Sequence, residues 1–246
     1  MTVKPWRVGV IGLGSMGLGM ALSLKRAGFD VVGCDVTSEA VARLVAEGGR
    51  SAASPAEAAD GADAVVSVVV NAAQTETILF GARGVAETLP KGAVFISSAT
   101  MDPDIARQLA KQLEETGRLY LDAPISGGAQ RAAQGELTIL ASGSQAAFSR
   151  ARPALDAMSA KLYELGNDAG HGAAFKMINQ LLAGVHIAAA SEAMAFAARQ
   201  GLDIKKVYEV ITASAGNSWM FENRMPHVLD GDYTPRSAVD IFVKDL

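Results

Sequence analysis

The opening thirty residues constrain the fold of this chain more than any other stretch. "RVGVI" (7–11) is a continuous apolar run, and "GLGSMGLGMALSL" comes directly after it. Gly12, Gly14 and Gly17 stand at G-x-G-x-x-G spacing where a strand should hand over to a helix. The first glycine permits a tight turn, the second lets the backbone approach a ligand, and the third lets helix and strand pack closely. The start of that helix offers unpaired N–H groups and a positive dipole end to an anion. A glycine-rich turn alone is weak evidence, so its weight depends on the pattern of the next hundred residues.

That pattern is a regular alternation. "DVVGC" (30–34), "AVVSVVV" (64–70), "AVFIS" (93–97) and "LYLD" (119–122) read as further strands, apolar almost throughout, as in a parallel sheet covered on both faces. Between them lie the helical stretches "MALSLKRAG", "SEAVARLVAEGG", "SPAEAA" and "DPDIARQLAKQLEETG". Ser54-Pro55 and Asp102-Pro103 each place a capping side chain before a proline at the first helical position. The pattern predicts a Rossmann-type, doubly wound α/β domain over residues 1–165. After Gly166 no strand is expected. An all-α domain is predicted over 166–246, entered by a long helix at about 170–199 and continued by "DIKKVYEVITASAG", "NSWMFENRMPHVLDGDY" and "SAVDIFVKDL". The final helix has no stop signal, so the natural chain is expected to run on past Leu246.

Several function classes are disfavoured. The formal net charge is −4 and lysines and arginines are not clustered, so no nucleic-acid footprint is expected. No charge-free apolar run of about 18 residues occurs, and no membrane span is expected. The N-terminus lacks a signal-peptide pattern. Cys34 is the only cysteine, which leaves no disulfide framework or thiolate cluster, and His171, His186 and His227 lack ligand spacing. The expectation is a soluble, cytoplasmic, metal-independent protein.

Context then turns the glycine loop into a cofactor prediction. The loop Gly12–Gly17, with Leu13, Ser15 and Met16 between its glycines, is placed to hold a pyrophosphate, and the second strand runs into Asp35. An acid there accepts hydrogen bonds from both ribose hydroxyls and repels a 2′-phosphate. No arginine comes next in "DVTSEA", so NAD is expected over NADP. Asn71 and Thr100 stand after later strands, where a dinucleotide should pass; for both, ordinary turn or cap roles stay equally open.

Two further stretches point to chemistry. In "LDAPISGGAQ", Ser126, Gly127 and Gly128 offer a hydroxyl and exposed backbone N–H groups to a carboxylate, although a plain turn also fits. In "GHGAAFKMINQLLAGVHIAAA", Lys176 is a lone cation in an apolar helix, and an ammonium there is costly to bury unless it is used. Asn179 lies three positions on, on the same helix face, and Ala183 continues that face with little bulk. Snorkelling of Lys176 to water is the alternative.

Together "GLGSMG", "DAPISGG", "GHGAAFKMIN" and the terminal "KDL", in this order, resemble the β-hydroxyacid dehydrogenases, a group that includes 3-hydroxyisobutyrate dehydrogenase and tartronate semialdehyde reductase. The resemblance spans the whole chain. It implies a Rossmann-type domain followed by an all-α domain like that of 6-phosphogluconate dehydrogenase. By the same resemblance Lys176 is the catalytic lysine, Asn179 binds substrate, and Ser126, Gly127 and Gly128 grip its carboxylate. Thr100 touches the cofactor, and Lys244 lies beside the nicotinamide. A lysine serves as base if burial and nearby positive charge lower its pKa from about 10.4. The segment from Ser214 on is similar to the branch that oxidises L-threonate at C2 to its 2-oxo acid with NAD. Asn217, Ser218 and Trp219 are candidates for lining a polyhydroxylated pocket, with a helix cap and a core aromatic as the alternative. The substrate is expected to be a small carboxylate-bearing hydroxy acid. The competing readings are 3-hydroxyisobutyrate dehydrogenase, tartronate semialdehyde reductase and, more remotely, an inactive dehydrogenase fold serving as an interaction module. Imine reduction and sugar-phosphate oxidation fit less well. The apolar long helix leads to the expectation of a homodimer or homotetramer.

Overall fold

The computed structural model describes residues 5–234 and 240–245. Strand β1 (Arg7–Ile11) leads into α1 (Gly17–Arg26), β2 (Asp30–Cys34) into α2 (Ser38–Ala46), and a short β3 (Arg50–Ser51) into α3 (Pro55–Ala59). Next come β4 (Ala64–Ser67), α4 (Ala72–Phe80), α5 (Val85–Thr88), β5 (Val94–Ser97), α6 (Pro103–Glu114) and β6 (Leu119–Asp122). All six strands are parallel, in the order β3-β2-β1-β4-β5-β6. The chain therefore starts mid-sheet, builds to one edge, returns and builds to the other. A crevice is left at the carboxyl ends of β1 and β4.

The expected parallel sheet is present, and three strands match the expected bounds. The fourth ends at Ser67 rather than residue 70. There the chain passes beneath the glycine turn: Val68 donates its N–H to the Ile11 carbonyl at 2.8 Å, and its own carbonyl lies against Gly12. The expected caps form as well. Ser54 Oγ accepts from the Glu57 N–H at 3.2 Å, and Asp102 Oδ1 from the Asp104 N–H at 2.7 Å.

Burial on both faces is why these strands read as unbroken apolar runs. Val8, Val10, Val66 and Ile96 face one core with Leu24 and Leu155, while Val65 and Phe95 face another with Leu79 and Leu113. Phe95 and Tyr120 stack there with ring centroids 5.8 Å apart. Truncating a fully buried aromatic such as Phe95 to Ala costs about 3–5 kcal/mol.

Beyond β6 comes a part the sequence did not announce. β7 (Ile125–Ser126), α7 (Gly128–Gln134), β8 (Leu137–Ala141), α8 (Gln145–Met158) and β9 (Ser159–Glu164) build a second, three-stranded sheet in the order β7-β8-β9. β7 pairs antiparallel with β8, and β9 parallel to it. β7 has two residues, β9 is largely solvent-facing, and α8 contains Pro153, so neither hydrophobic run nor helical propensity marks them.

The remainder is helical: α9 (His171–Arg199), α10 (Ile204–Thr212), α11 (Trp219–Leu229) and α12 (Asp240–Asp245). Residues 237–239 and 246 of the expected segment "SAVDIFVKDL" lie outside the described residues, as do residues 235 and 236 before it. The chain divides into two compact units between Lys176 and Met177, inside α9. In the second unit Ala190 and Met194 of α9 pack with Phe221 and Met225 of α11. Gln180 donates to the buried Asp245 carboxylate at 2.6 Å, and the Phe242 ring closes on Gly184, which fastens α12 to α9. By length and composition alone, the 29-residue α9 is apolar enough to cross a membrane. Only charge-free runs were excluded from the sequence, and α9 carries its charges at Lys176, Glu192 and Arg199.

Candidate active site

The carboxyl edge of the large sheet collects the predicted cofactor residues of the first unit, from Gly12 to Thr100; Lys244 lies on α12 in the second. Gly12 has φ +90°, and a Cβ on it would lie 2.3 Å from the Val68 carbonyl oxygen. A Cβ on Gly17 would lie 1.8 Å from the Gly12 oxygen. Neither position tolerates a side chain. Gly14 is the opposite case: a Cβ there meets no atom within 4 Å, so its backbone faces open space. Closed turn, open cradle and the start of α1 together fit a pyrophosphate.

Leu13 plays a different part from its neighbours. Its side chain is buried against Gly33, and its N–H donates to Asp35 Oδ2 at 2.5 Å. Ser15 is exposed and Met16 half-buried. Asp35 Oδ1 also accepts from the Thr37 N–H at 2.7 Å, so one carboxylate ties the glycine loop to the turn before α2. A groove of about 600 Å³ runs past these groups and is lined also by Glu39 and Arg43. Sequence reasoning missed Arg43 because it looked for arginine directly after Asp35. Helical spacing from Glu39 was the available signal. Cys34, just before Asp35, is buried; burial first, and the Asp35 charge second, push its thiol pKa up, which disfavours the reactive thiolate. Asn71 takes the cap role left open for it, its Oδ1 accepting from the Gln74 N–H at 2.9 Å. Thr100 is half-buried in the loop after β5.

The predicted chemical groups lie on β7 and α9. Ser126 is half-buried, Gly127 and Gly128 have φ of +140° and +78°, and a Cβ on Gly128 meets nothing within 4 Å. The loop conformation thus demands its glycines and leaves backbone open. Lys176 is only 8% exposed. Asn179, one turn further along the continuous α9, is exposed and donates to Gln180 Oε1 at 3.2 Å. Lys244 on α12 is ion-paired with the neighbouring carboxylate of Asp245.

Asn217 and Ser218 are put to local structural use. Asn217 Nδ2 donates to the Thr212 carbonyl at 3.1 Å and to Glu222 Oε1 at 2.5 Å, joining the end of α10 to α11. Ser218 Oγ caps α11 through the Phe221 N–H at 3.1 Å. Trp219 is 58% exposed, so it is no core aromatic of this chain.

Sequence reasoning also missed Asp122 and Ser142. Asp122 ends β6, is fully buried, and accepts from the N–H groups of Gly170 and Ala173 at 2.9 Å each. Burial pushes its carboxyl up to about 6, against hydrogen bonds from Ala173, Gly170 and Ser142 that favour the charged form. The only sequence signal was the pair of glycines, Gly170 and Gly172, around the first residue of α9.

This sheet order, with a glycine cradle at its first crossover and an acid after its second strand, defines a Rossmann-type dinucleotide-binding domain. Comparison with known proteins agrees. Residues 7–166 match the NAD binding domain of 6-phosphogluconate dehydrogenase, and residues 170–246 match the NAD-binding domain of NADP-dependent 3-hydroxyisobutyrate dehydrogenase. The chain is 57% identical to the L-threonate dehydrogenase of Cupriavidus necator, the match covering 97% of this chain and 80% of that one. It is 51% identical to the L-threonate dehydrogenase of Escherichia coli K12, covering 100% and 82%. A crystal structure of 3-hydroxyisobutyrate dehydrogenase from Salmonella typhimurium superposes with a TM-score of 0.91 at 54% identity, covering 98% of this chain and 84% of that one. The chain belongs to the β-hydroxyacid dehydrogenase family and is a nicotinamide-dependent hydroxyacid oxidoreductase.

Proposed function

We propose that this chain oxidises L-threonate at C2 to the 2-oxo acid, with NAD as hydride acceptor. The observation that carries this reading is identity of 51–57% over almost the whole chain to L-threonate dehydrogenases from several bacteria. Each residue of the site has its own task. The neutral amine of Lys176 takes the proton of the C2 hydroxyl as the C2 hydrogen leaves with its electron pair, so the C–O bond becomes C=O. Asn179 donates to that same oxygen, and the Ser126 hydroxyl with the main chain of Gly127 and Gly128 holds the carboxylate. Asn217 and Trp219 border the polyhydroxylated end. When bound, the nicotinamide supplies the hydride acceptor. Gly12–Gly17 would hold the pyrophosphate and Asp35 the adenosine ribose, with Asn71, Thr100 and Lys244 as further candidate contacts of the cofactor.

NAD rather than NADP is supported by the Asp35 carboxylate, which would stand against a 2′-phosphate. We take residues 1–165 as the dinucleotide-binding domain and 166–246 as the helical domain, and the enzyme as cytoplasmic. A homodimer or homotetramer is supported by the apolar side chains along α9, where Phe175, Ile178, Leu182 and Val185 are each at least half exposed.

A second reading, 3-hydroxyisobutyrate oxidation, is favoured by the name of the similar Salmonella structure. Assaying purified protein with NAD against L-threonate, 3-hydroxyisobutyrate and glycerate separates the two. Reduced cofactor should form fastest with L-threonate, and no turnover of it beside turnover of another acid would refute the proposal.

A further inference from the structure

The carboxylate of Asp122 and the hydroxyl of Ser142 form a buried clasp on the first turn of α9. Asp122 Oδ2 accepts from the Gly170 and Ala173 N–H groups, both at 2.9 Å. Ser142 Oγ accepts from the Gly172 N–H at 2.9 Å and donates to Asp122 Oδ2 at 3.3 Å. First-turn N–H groups have no partner inside a helix, and the dipole there favours a negative group. The two residues are also paired through their backbones, Asp122 N–H to the Ser142 carbonyl at 3.0 Å and Ser142 N–H to the Asp122 carbonyl at 2.8 Å. Both side chains are 0% exposed. The helix reaches them only because Gly172 has no side chain: a Cβ there would lie 2.4 Å from the Leu140 carbonyl oxygen. Gly170, at φ +97°, turns the chain into that position.

Two segments with proposed functional residues start from this clasp. Toward Ser126 the chain is pinned to β8 along its length. Leu140 donates its N–H to the Pro124 carbonyl at 2.9 Å, and Ile125 and Ser126 pair with Ile139 and Thr138. Toward Lys176 there is a single helical step, because Ala173 and Lys176 are three residues apart on one face of α9. A hydrogen-bonded path of short links therefore joins Ser126 to Lys176, and Asp122 with Ser142 is its centre.

We propose that Asp122 and Ser142 are positioning residues, which set where the Lys176 amine stands relative to the carboxylate-holding Ser126 loop. The inference rests on the proposed roles of Lys176 as base and Ser126 as carboxylate holder. Neither clasp residue touches substrate; each acts through the backbone of α9. Displacement of a reacting group by about 1 Å can cost on the order of 100-fold in rate. Loosening the clasp should thus lower kcat while leaving the glycine loop, and cofactor affinity, unchanged.

The test uses the full chain with L-threonate and NAD. Turnover, NAD affinity by fluorescence titration and thermal unfolding are measured for Ser142→Ala, Asp122→Asn, Asp122→Ala and Lys176→Ala. Ser142→Ala is expected to lower kcat about tenfold or more well below its unfolding temperature, with NAD affinity unchanged. Asp122→Asn keeps a carbonyl oxygen for Gly170 and Ala173 and should retain far more kcat than Asp122→Ala. If Asp122→Ala does not fold, Ser142→Ala and Asp122→Asn decide the matter. A Ser142→Ala enzyme that unfolds earlier yet turns over at the parent rate would overturn the positioning role. Near-parent turnover by Lys176→Ala would instead overturn the base assignment, so the two failures are distinguishable.

Discussion

The loop Gly12–Gly17 and the segment Asn217–Trp219 both stand out in the sequence as candidate ligand-binding stretches. In the first, each glycine answers to the backbone: Gly12 and Gly17 are closed in by main-chain oxygens, and Gly14 is open where a ligand must approach. In the second, two of three side chains serve local helix architecture, with Asn217 tying α10 to α11 and Ser218 capping α11. A motif that works through main-chain geometry announces its function in residue type, because few residues satisfy that geometry. A motif that works through side chains has structural uses that look the same in sequence. The first kind of motif therefore points to the family from sequence alone, whereas the second leaves a structural and a substrate-binding reading equally open.

This contrast can be broken, most sharply at Lys176. Lys176→Ala should lower kcat about 100- to 10,000-fold with NAD affinity retained. Steady-state kinetics beside a cofactor titration check it, and an enzyme that kept its turnover would remove the lysine as base. In the parent enzyme kcat should climb with pH, since only the neutral amine accepts a proton; a flat profile would count against a titrating base. Asp35→Ala comes next. It removes both the carboxylate proposed to hold the ribose and the acceptor of the Leu13 N–H, so the ratio of kcat/KM for NAD over NADP should fall about tenfold or more. An unchanged ratio would transfer the preference to other groups of the groove, Arg43 among them.

Smaller effects sharpen the other side of the comparison. The Asp122 carboxyl is raised in the fold from 3.8 to about 6. Between those values the folded chain holds a proton that the unfolded chain has released. This group's contribution to stability is therefore fully present below about pH 4 and is lost as pH rises to about 6. Asp122→Asn should flatten that part of the unfolding temperature against pH, and a slope identical to the parent's would place the titration elsewhere. Asn217→Ala should be the mildest change. Loss of its bonds to Thr212 and Glu222 costs about 1–3 kcal/mol of stability, read by denaturant unfolding. If instead KM for L-threonate rises with stability unchanged, Asn217 belongs to the substrate pocket and the contrast between the two segments narrows.

Much of the architecture was legible because burial on both faces forces apolar, β-branched runs, and β1, β2 and β6 fall where those runs are. β7, β8, α8 and β9 were not legible. Two of these strands are short or solvent-facing, and Pro153 sits inside α8 where it reads as a breaker. The glycine cradle, Asp35 and Lys176 were legible as chemistry out of place. Asp122 was not, although "DAPISGG" drew attention to its loop. Its partners Gly170 and Ala173 lie 48 and 51 residues away, and no local pattern encodes a cap contributed from such a distance.

The most direct test is the comparison of substrates on the purified protein with NAD. NADH is expected to form with L-threonate at a kcat/KM well above that for 3-hydroxyisobutyrate or glycerate, and that activity is expected to be lost in Lys176→Ala. Preference for 3-hydroxyisobutyrate, or L-threonate oxidation that survives the loss of Lys176, would contradict the proposal.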